Sequence, residues 1–225
     1  MSDSNNNDDL KKQIERLEQK LILLAKMEKQ RSIDLAKSQL DIVNVLRSVI
    51  EVRDEETHLH SKRVTAYTLL IGKELQLPNT ELTKLQIGGY LHDIGKIGLP
   101  DRELLKRMSL TSEEIAKIRS HPAIGARILT GISLLEPIIP IVLHHHEHFD
   151  GRGHPHGLKG ENIPLGARIV AIADSYDALT SKRSYRAAFS PKDAINEIKR
   201  ESNTRFDPKI VEATFKIWER GEFVI

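Results

Sequence analysis

The chain of 225 residues contains no cysteine. That excludes disulfides and thiolate zinc sites and is compatible with a reducing compartment. Aromatic residues make up only 4%, so a core must be built mainly from aliphatic side chains. No apolar run approaches the roughly 20 residues of a membrane span. The best candidate, Ile132 to Leu143, is interrupted by Glu136, Pro137 and Pro140. The opening Met1-Ser2-Asp3-Ser4-Asn5 lacks the basic and apolar regions of a signal peptide. Together these absences predict a cytoplasmic protein with no membrane span. An excess of one charge is also missing. A net charge of +2 is too balanced for a large nucleic-acid footprint, so DNA is not an expected partner. The 39% hydrophobic content allows one domain with a core, plus an extension.

Histidine is what the chain has in plenty. There are ten, and six fall between His144 and His156. His92 and Asp93 are adjacent in Tyr90-Leu91-His92-Asp93-Ile94-Gly95-Lys96, His121 precedes Pro122, His145 and His146 are neighbours, and Asp174 follows Ala173. Neutral imidazoles and carboxylates are borderline-to-hard metal ligands. On a helix, adjacent residues point about 100° apart, so an aspartate can bridge two cations while the histidine beside it holds one. A second ligand-bearing segment at His145-His146 supplies enough donors for a two-metal centre. Such centres hold cations about 3.5–4 Å apart and hydrolyse phosphate esters.

Residues 1–9 are polar and read as a disordered tail. Leu10, Ile14, Leu17, Leu21 and Leu24 then alternate at spacings of four and three, and the register meets Glu28 and Arg31 before Leu35, Ser38, Ile42, Val45 and Val49. With no proline or glycine from 10 to 71, this predicts a long helix. Its segment 10–49 would form a coiled-coil homodimer and carry a signal, while the apolar positions widen over 35–50 so that this part packs on the domain. From 50 to 225 the pattern is mainly helical. Pro78-Asn79-Thr80 starts a helix, Thr111 with Glu114 forms a capping box, and Asp207-Pro208 is a cap followed by a proline at the first helical position. The segment Ala167–Ile172 is rich in β-branched residues but runs into Asp174–Leu179 without a turn signal, which favours helix. Asp150 to Pro164, with four glycines and two prolines, is a loop.

The motifs occur in a characteristic order: His60-Ser61-Lys62-Arg63-Val64, His92-Asp93-Ile94-Gly95-Lys96, Thr111 through Glu114, His121-Pro122, His145-His146-Glu147, Asp150-Gly151-Arg152-Gly153-His154-Pro155, Ala173-Asp174, Arg183-Ser184-Tyr185-Arg186 and Phe206-Asp207-Pro208. In that order they resemble the HD-GYP domain, the branch of the HD phosphohydrolase superfamily that degrades cyclic di-GMP in bacteria. The resemblance implies an all-α, HD-type helical bundle. It carries metal ligation over to His60, His92, Asp93, His121, His145, His146 and Asp174, with Asp93 as the bridge. Glu56, one helical turn before His60, matches a subgroup that can hold a third metal. Two or three divalent cations are therefore expected. The His/carboxylate donors favour iron or manganese, with zinc and nickel as alternatives.

Asp93 and Lys96 are the expected catalytic residues. Lys96, Arg183, Arg186, Gly153 and His154 are the expected substrate-binding set, since arginines three apart on a helix share a face and can bind phosphate as a fork. Arg63 reads as a structural ion-pair partner, and His58, His148 and His156 match no ligand. His144 is an extra histidine facing away from the metals. The implied reaction is in-line attack of an activated water on the phosphodiester of cyclic di-GMP, giving linear pGpG or GMP, with the cations, Lys96 and the arginines offsetting charge. One departure stands out: His154 replaces the tyrosine of the Gly-Tyr-Pro motif. It bears on substrate affinity and on recruitment of a diguanylate cyclase or sensor partner. The alternatives are a metal-binding sensor or docking module with weak activity, and a hydrolase of another nucleotide.

Overall fold

The computed structural model describes residues 2–53, 55–100, 111–181 and 188–223. Its side chains are described from residue 13 on, except at 36, 39, 40, 47 and 50–58. It divides into two compact units, residues 1–44 and 45–225. Nine α-helices are present among the described residues, with no strand beyond an isolated bridge between Ser202 and Phe206. The expected all-α class is borne out. No described helix is long and apolar enough to cross a membrane.

Helix α1 spans Ser2–Arg53. It includes residues 2–9, which composition alone reads as a disordered tail. Each residue added to an existing helix gains one hydrogen bond, so a polar stretch without glycine or proline can extend it. Ile14, Leu17, Leu21 and Leu24 are all exposed, as an apolar seam is when it faces no neighbour. Leu35, Ile42, Val45 and Val49 are exposed too. Within 35–50, Val43 is buried while these four are not. They keep the seam's four-and-three spacing and so stay on its face. A second helix, α2 (Glu55–Glu74), follows.

The second unit continues with α3 (Asn79–Leu91), α4 (Ser112–Ile118), α5 (His121–Leu129), α6 (Ile139–His144), α7 (Leu165–Thr180), α8 (Pro191–Arg200) and α9 (Pro208–Glu219). Helix α2 packs on α3, α7 and α9. Helix α5 packs on α6 and on the 3-10 turn Ile94–Gly98. The core is aliphatic, with Ile71, Leu85, Ile141, Ile172, Ile198 and Ile217 buried in one cluster. Three aromatics join it: Tyr67, Tyr176 and Phe223 lie with ring centroids 4.6–5.0 Å apart.

The predicted caps are in place. The Thr111 side chain accepts from Glu114 N–H while the Glu114 carboxylate accepts from Thr111 N–H. Asp207 accepts from Lys209 N–H at 2.8 Å and also pairs with Arg168, tying α7 to the start of α9. Residues 167–180 are helical throughout, as expected, and 150–164 is a loop apart from a 3-10 turn at Gly160–Asn162.

Candidate metal centre

Five segments converge on one buried site. His60 lies on α2, His92 and Asp93 end α3, His121 starts α5, His145 and His146 follow α6, and Asp174 lies on α7. The turn after Asp93 can approach α5 only because residue 95 is glycine. A Cβ there would collide with the carbonyl of His121 and the N–H of Gly125. That contact sets His121 against Asp93.

Hydrogen bonds fix how the histidines point. The Nδ1–H groups of His92, His121 and His145 donate to the carbonyls of Gly89, Ile118 and Val142, at 2.7, 2.7 and 2.8 Å. A carbonyl can only accept, so Nδ1 must carry the proton, and in the neutral imidazole Nε2 presents a lone pair. His60 is held by a carboxylate instead: Asp177 Oδ2 lies 2.7 Å from its Nδ1. Ligating histidines are commonly oriented in this way, through the other ring nitrogen.

The ligand-type side chains fall into two groups. His60, His92 and Asp174 form one, and His121, His145 and His146 the other; within each, the donor atoms lie within 4.8 Å of one another. Asp93 reaches both groups. Its Oδ2 is 3.3 Å from His92 Nε2 and 3.7 Å from His60 Nε2, and its Oδ1 is 3.2 Å from His121 Nε2. A carboxylate with one oxygen toward each group of three is arranged as a bridge.

The residues fit divalent cations on three observations. The Nε2 of His92 is buried without a hydrogen-bond partner. His121 Nε2 and His145 Nε2 lie 3.3 Å apart with a lone pair on each. Two nitrogens bound tetrahedrally at about 2.0–2.1 Å would be separated by about that distance. Burial pulls the His60 imidazole pKa down, but bonds to Asp174, Asp177 and Asp93 outweigh it and hold the pKa well above the ordinary value. The surroundings of His60 therefore favour a positive charge, which a bound cation would supply in place of the ring proton. Burial, joined by the neighbouring histidines, keeps His145 well below its ordinary value, and burial pushes His146 down to about 3. Both are neutral, as ligands must be. Burial would raise the Asp93 carboxyl, but the Lys96 ammonium and His92 hold it well below the carboxylate range.

Of the other expected residues, Lys96 sits at the rim with its Nζ 2.6 Å from Asp93 Oδ2. Gly153 packs so closely on the backbone of Glu147 and His148 that a Cβ would overlap both. His154 donates its N–H to the His146 carbonyl at 3.1 Å, and its ring stacks on His146 at 5.1 Å and 18°. Arg63 pairs with Asp177 and also donates to Ser181 Oγ at 3.0 Å, the ion-pair role expected of it. The Glu56 side chain, His58, Arg183 and Arg186 lie outside the described residues. The residue that sequence reasoning missed is Asp177. It lies in the Asp174–Leu179 run, but its hold on His60 spans 117 positions and has no local signal.

An HD domain family model matches residues 44–210. A cyclic di-GMP phosphodiesterase of Thermotoga maritima is 39% identical over 203 residues, covering 89% of this chain and 55% of the relative. A 3′3′-cGAMP-specific phosphodiesterase of Vibrio cholerae is 34% identical over 194 residues, covering 85% and 37%. The chain spans about half or less of the length of these relatives. The crystal structure of a cyclic GMP-AMP specific phosphodiesterase of V. cholerae superposes with a TM-score of 0.62 at 24% identity, over 83% of this chain and 49% of the other. That likeness establishes the fold. With the ordered motifs and the helical bundle, these matches bear out the HD-GYP resemblance: the chain belongs to the HD domain family.

Proposed function

We propose that this chain hydrolyses the phosphodiester bonds of cyclic di-GMP to linear pGpG or GMP in bacterial second-messenger signalling. The observation that carries the reading is the pair of three-ligand groups with Asp93 between them. His60, His92 and Asp174 would hold one divalent cation and His121, His145 and His146 the other, with Asp93 between the two groups. Glu56 adds a third site one turn before His60. Iron or manganese suits these donors, with zinc and nickel as alternatives. Cations held there supply Lewis acidity and lower the pKa of water.

The chain's own residues do the rest. Asp177 and three backbone carbonyls keep the imidazoles oriented, so no reorganisation is needed at the moment of reaction. Lys96 places a positive charge beside Asp93 at the rim, where a phosphoryl oxygen would lie, and Arg183 and Arg186 bind the substrate phosphates. His154 flanks His146 where the motif has tyrosine, offering a flat ring toward a guanine base.

The named relatives divide between cyclic di-GMP and 3′3′-cGAMP, and cyclic di-GMP is the substrate proposed here. The exposed seam of α1 supports a homodimer that transmits a signal. A diguanylate cyclase or sensor protein is the partner class, and the cytoplasm the location. The test is turnover of cyclic di-GMP, with 3′3′-cGAMP alongside, by protein purified without oxygen and assayed for metal. Asp93→Ala should abolish turnover and lower metal content. Full activity in that variant, or turnover of 3′3′-cGAMP alone, would overturn the proposal.

A further inference from the structure

A second cluster of ligand-type side chains lies outside the catalytic groups. His144 ends α6, Glu147 follows His146, and His156 sits on the glycine-rich loop; their donor atoms all lie within 4.8 Å of one another. The Glu147 side chain is completely buried. Its carboxylate accepts backbone N–H groups from His156 at 2.7 Å and Leu158 at 3.1 Å. Each carboxylate oxygen has two lone pairs, so one of these bonds leaves Oε1 with a second. That oxygen lies 3.5 Å from His144 Nδ1, and the geometry makes no hydrogen bond. His144 Nδ1 is buried and without a partner. An unpartnered buried nitrogen beside a buried carboxylate oxygen is unfavourable. A cation between the two would satisfy both. The separation is close to the roughly 3.3 Å expected for two donors on one tetrahedral ion.

We propose that His144, Glu147 and His156 form an accessory site for a divalent cation of the zinc class, separate from the catalytic pair. Two imidazoles and a carboxylate are a zinc-type donor set that leaves one position open. His156 is exposed and its ring centroid lies 5.2 Å from that of His144, which gives the ion a path in from solvent. Once bound, the ion ties the end of α6 to the loop 147–158. That loop carries His154, whose ring covers the catalytic ligand His146. The site would therefore fasten the loop against the catalytic centre without adding a ligand to it.

The test counts zinc in the full chain by mass spectrometry after equilibration with Zn²⁺ and gel filtration. His144→Ala and His156→Ala should each hold one equivalent fewer per chain than the unmodified protein. Asp93→Ala should keep that equivalent while losing catalytic-site zinc. His156 is exposed, so its replacement leaves the fold intact even if the His144 variant does not fold. Unchanged zinc content in His156→Ala overturns the site. Because the count is independent of turnover, failure of the proposed reaction and failure of this site are separately visible.

Discussion

Replacing Asp177 with asparagine tests whether the centre depends on a group outside both sets of ligands. The carboxylate accepts from His60 Nδ1 at 2.7 Å, from Arg63 Nη2 at 3.0 Å and from Arg63 Nε, and it is almost fully buried. Hydrogen bonds to charged groups contribute about 1.5–3 kcal/mol each. Asparagine keeps the volume and one accepting oxygen, and the Arg63 side chain is 29% exposed, so water screens part of its unpaired charge. The net loss should be about 2–3 kcal/mol, or a melting temperature lower by about 4–12 °C for a chain of this size. Losing the group that orients a ligating histidine typically weakens metal affinity by about 10- to 100-fold. Manganese titration by calorimetry, with thermal melts, reads both effects. Arg63→Met is the control: it removes the ion pair but leaves Asp177 on His60, so it should lower stability and change metal affinity little. If Asp177→Asn binds manganese as tightly as the unmodified protein, Asp177 does not orient His60 for ligation.

Three further outcomes are expected. Glu56→Ala should lower metal content by about one ion per chain while leaving the paired site, since one carboxylate is removed from a donor set otherwise intact; an unchanged count would return Glu56 to the solvated surface. Arg183→Lys should weaken apparent substrate affinity more than it lowers the melting temperature, because lysine cannot reproduce a guanidinium fork; early melting with normal binding would mean a structural role. Deleting residues 1–32 should shift the protein toward monomer and change its specific activity, because it removes Ile14, Leu17, Leu21 and Leu24 from the exposed seam. A truncated protein that stays dimeric by light scattering at an unchanged rate would place dimerisation and control elsewhere.

Much of this site is written locally in the chain. The ligand types, the His92-Asp93 and His145-His146 pairs, the Thr111 capping box, the Asp207-Pro208 start and the helix at 167–180 depend on neighbours a few residues away, and periodicity and capping chemistry report on just that range. The aliphatic core follows from a composition with few aromatics. Tertiary structure decided what depends on distant partners. It selected Nε2 rather than Nδ1 as the donor of His92, His121 and His145, since each proton goes to a carbonyl of the turn before. It sorted six side chains from separate segments into two groups of three and set Asp93 between them. It brought Asp177 to His60 across 117 positions. It also turned His144 toward Glu147 and away from the histidines beside it in sequence. Chain spacing determines the face of one helix; which faces meet is settled only when the helices pack and bury their apolar sides together.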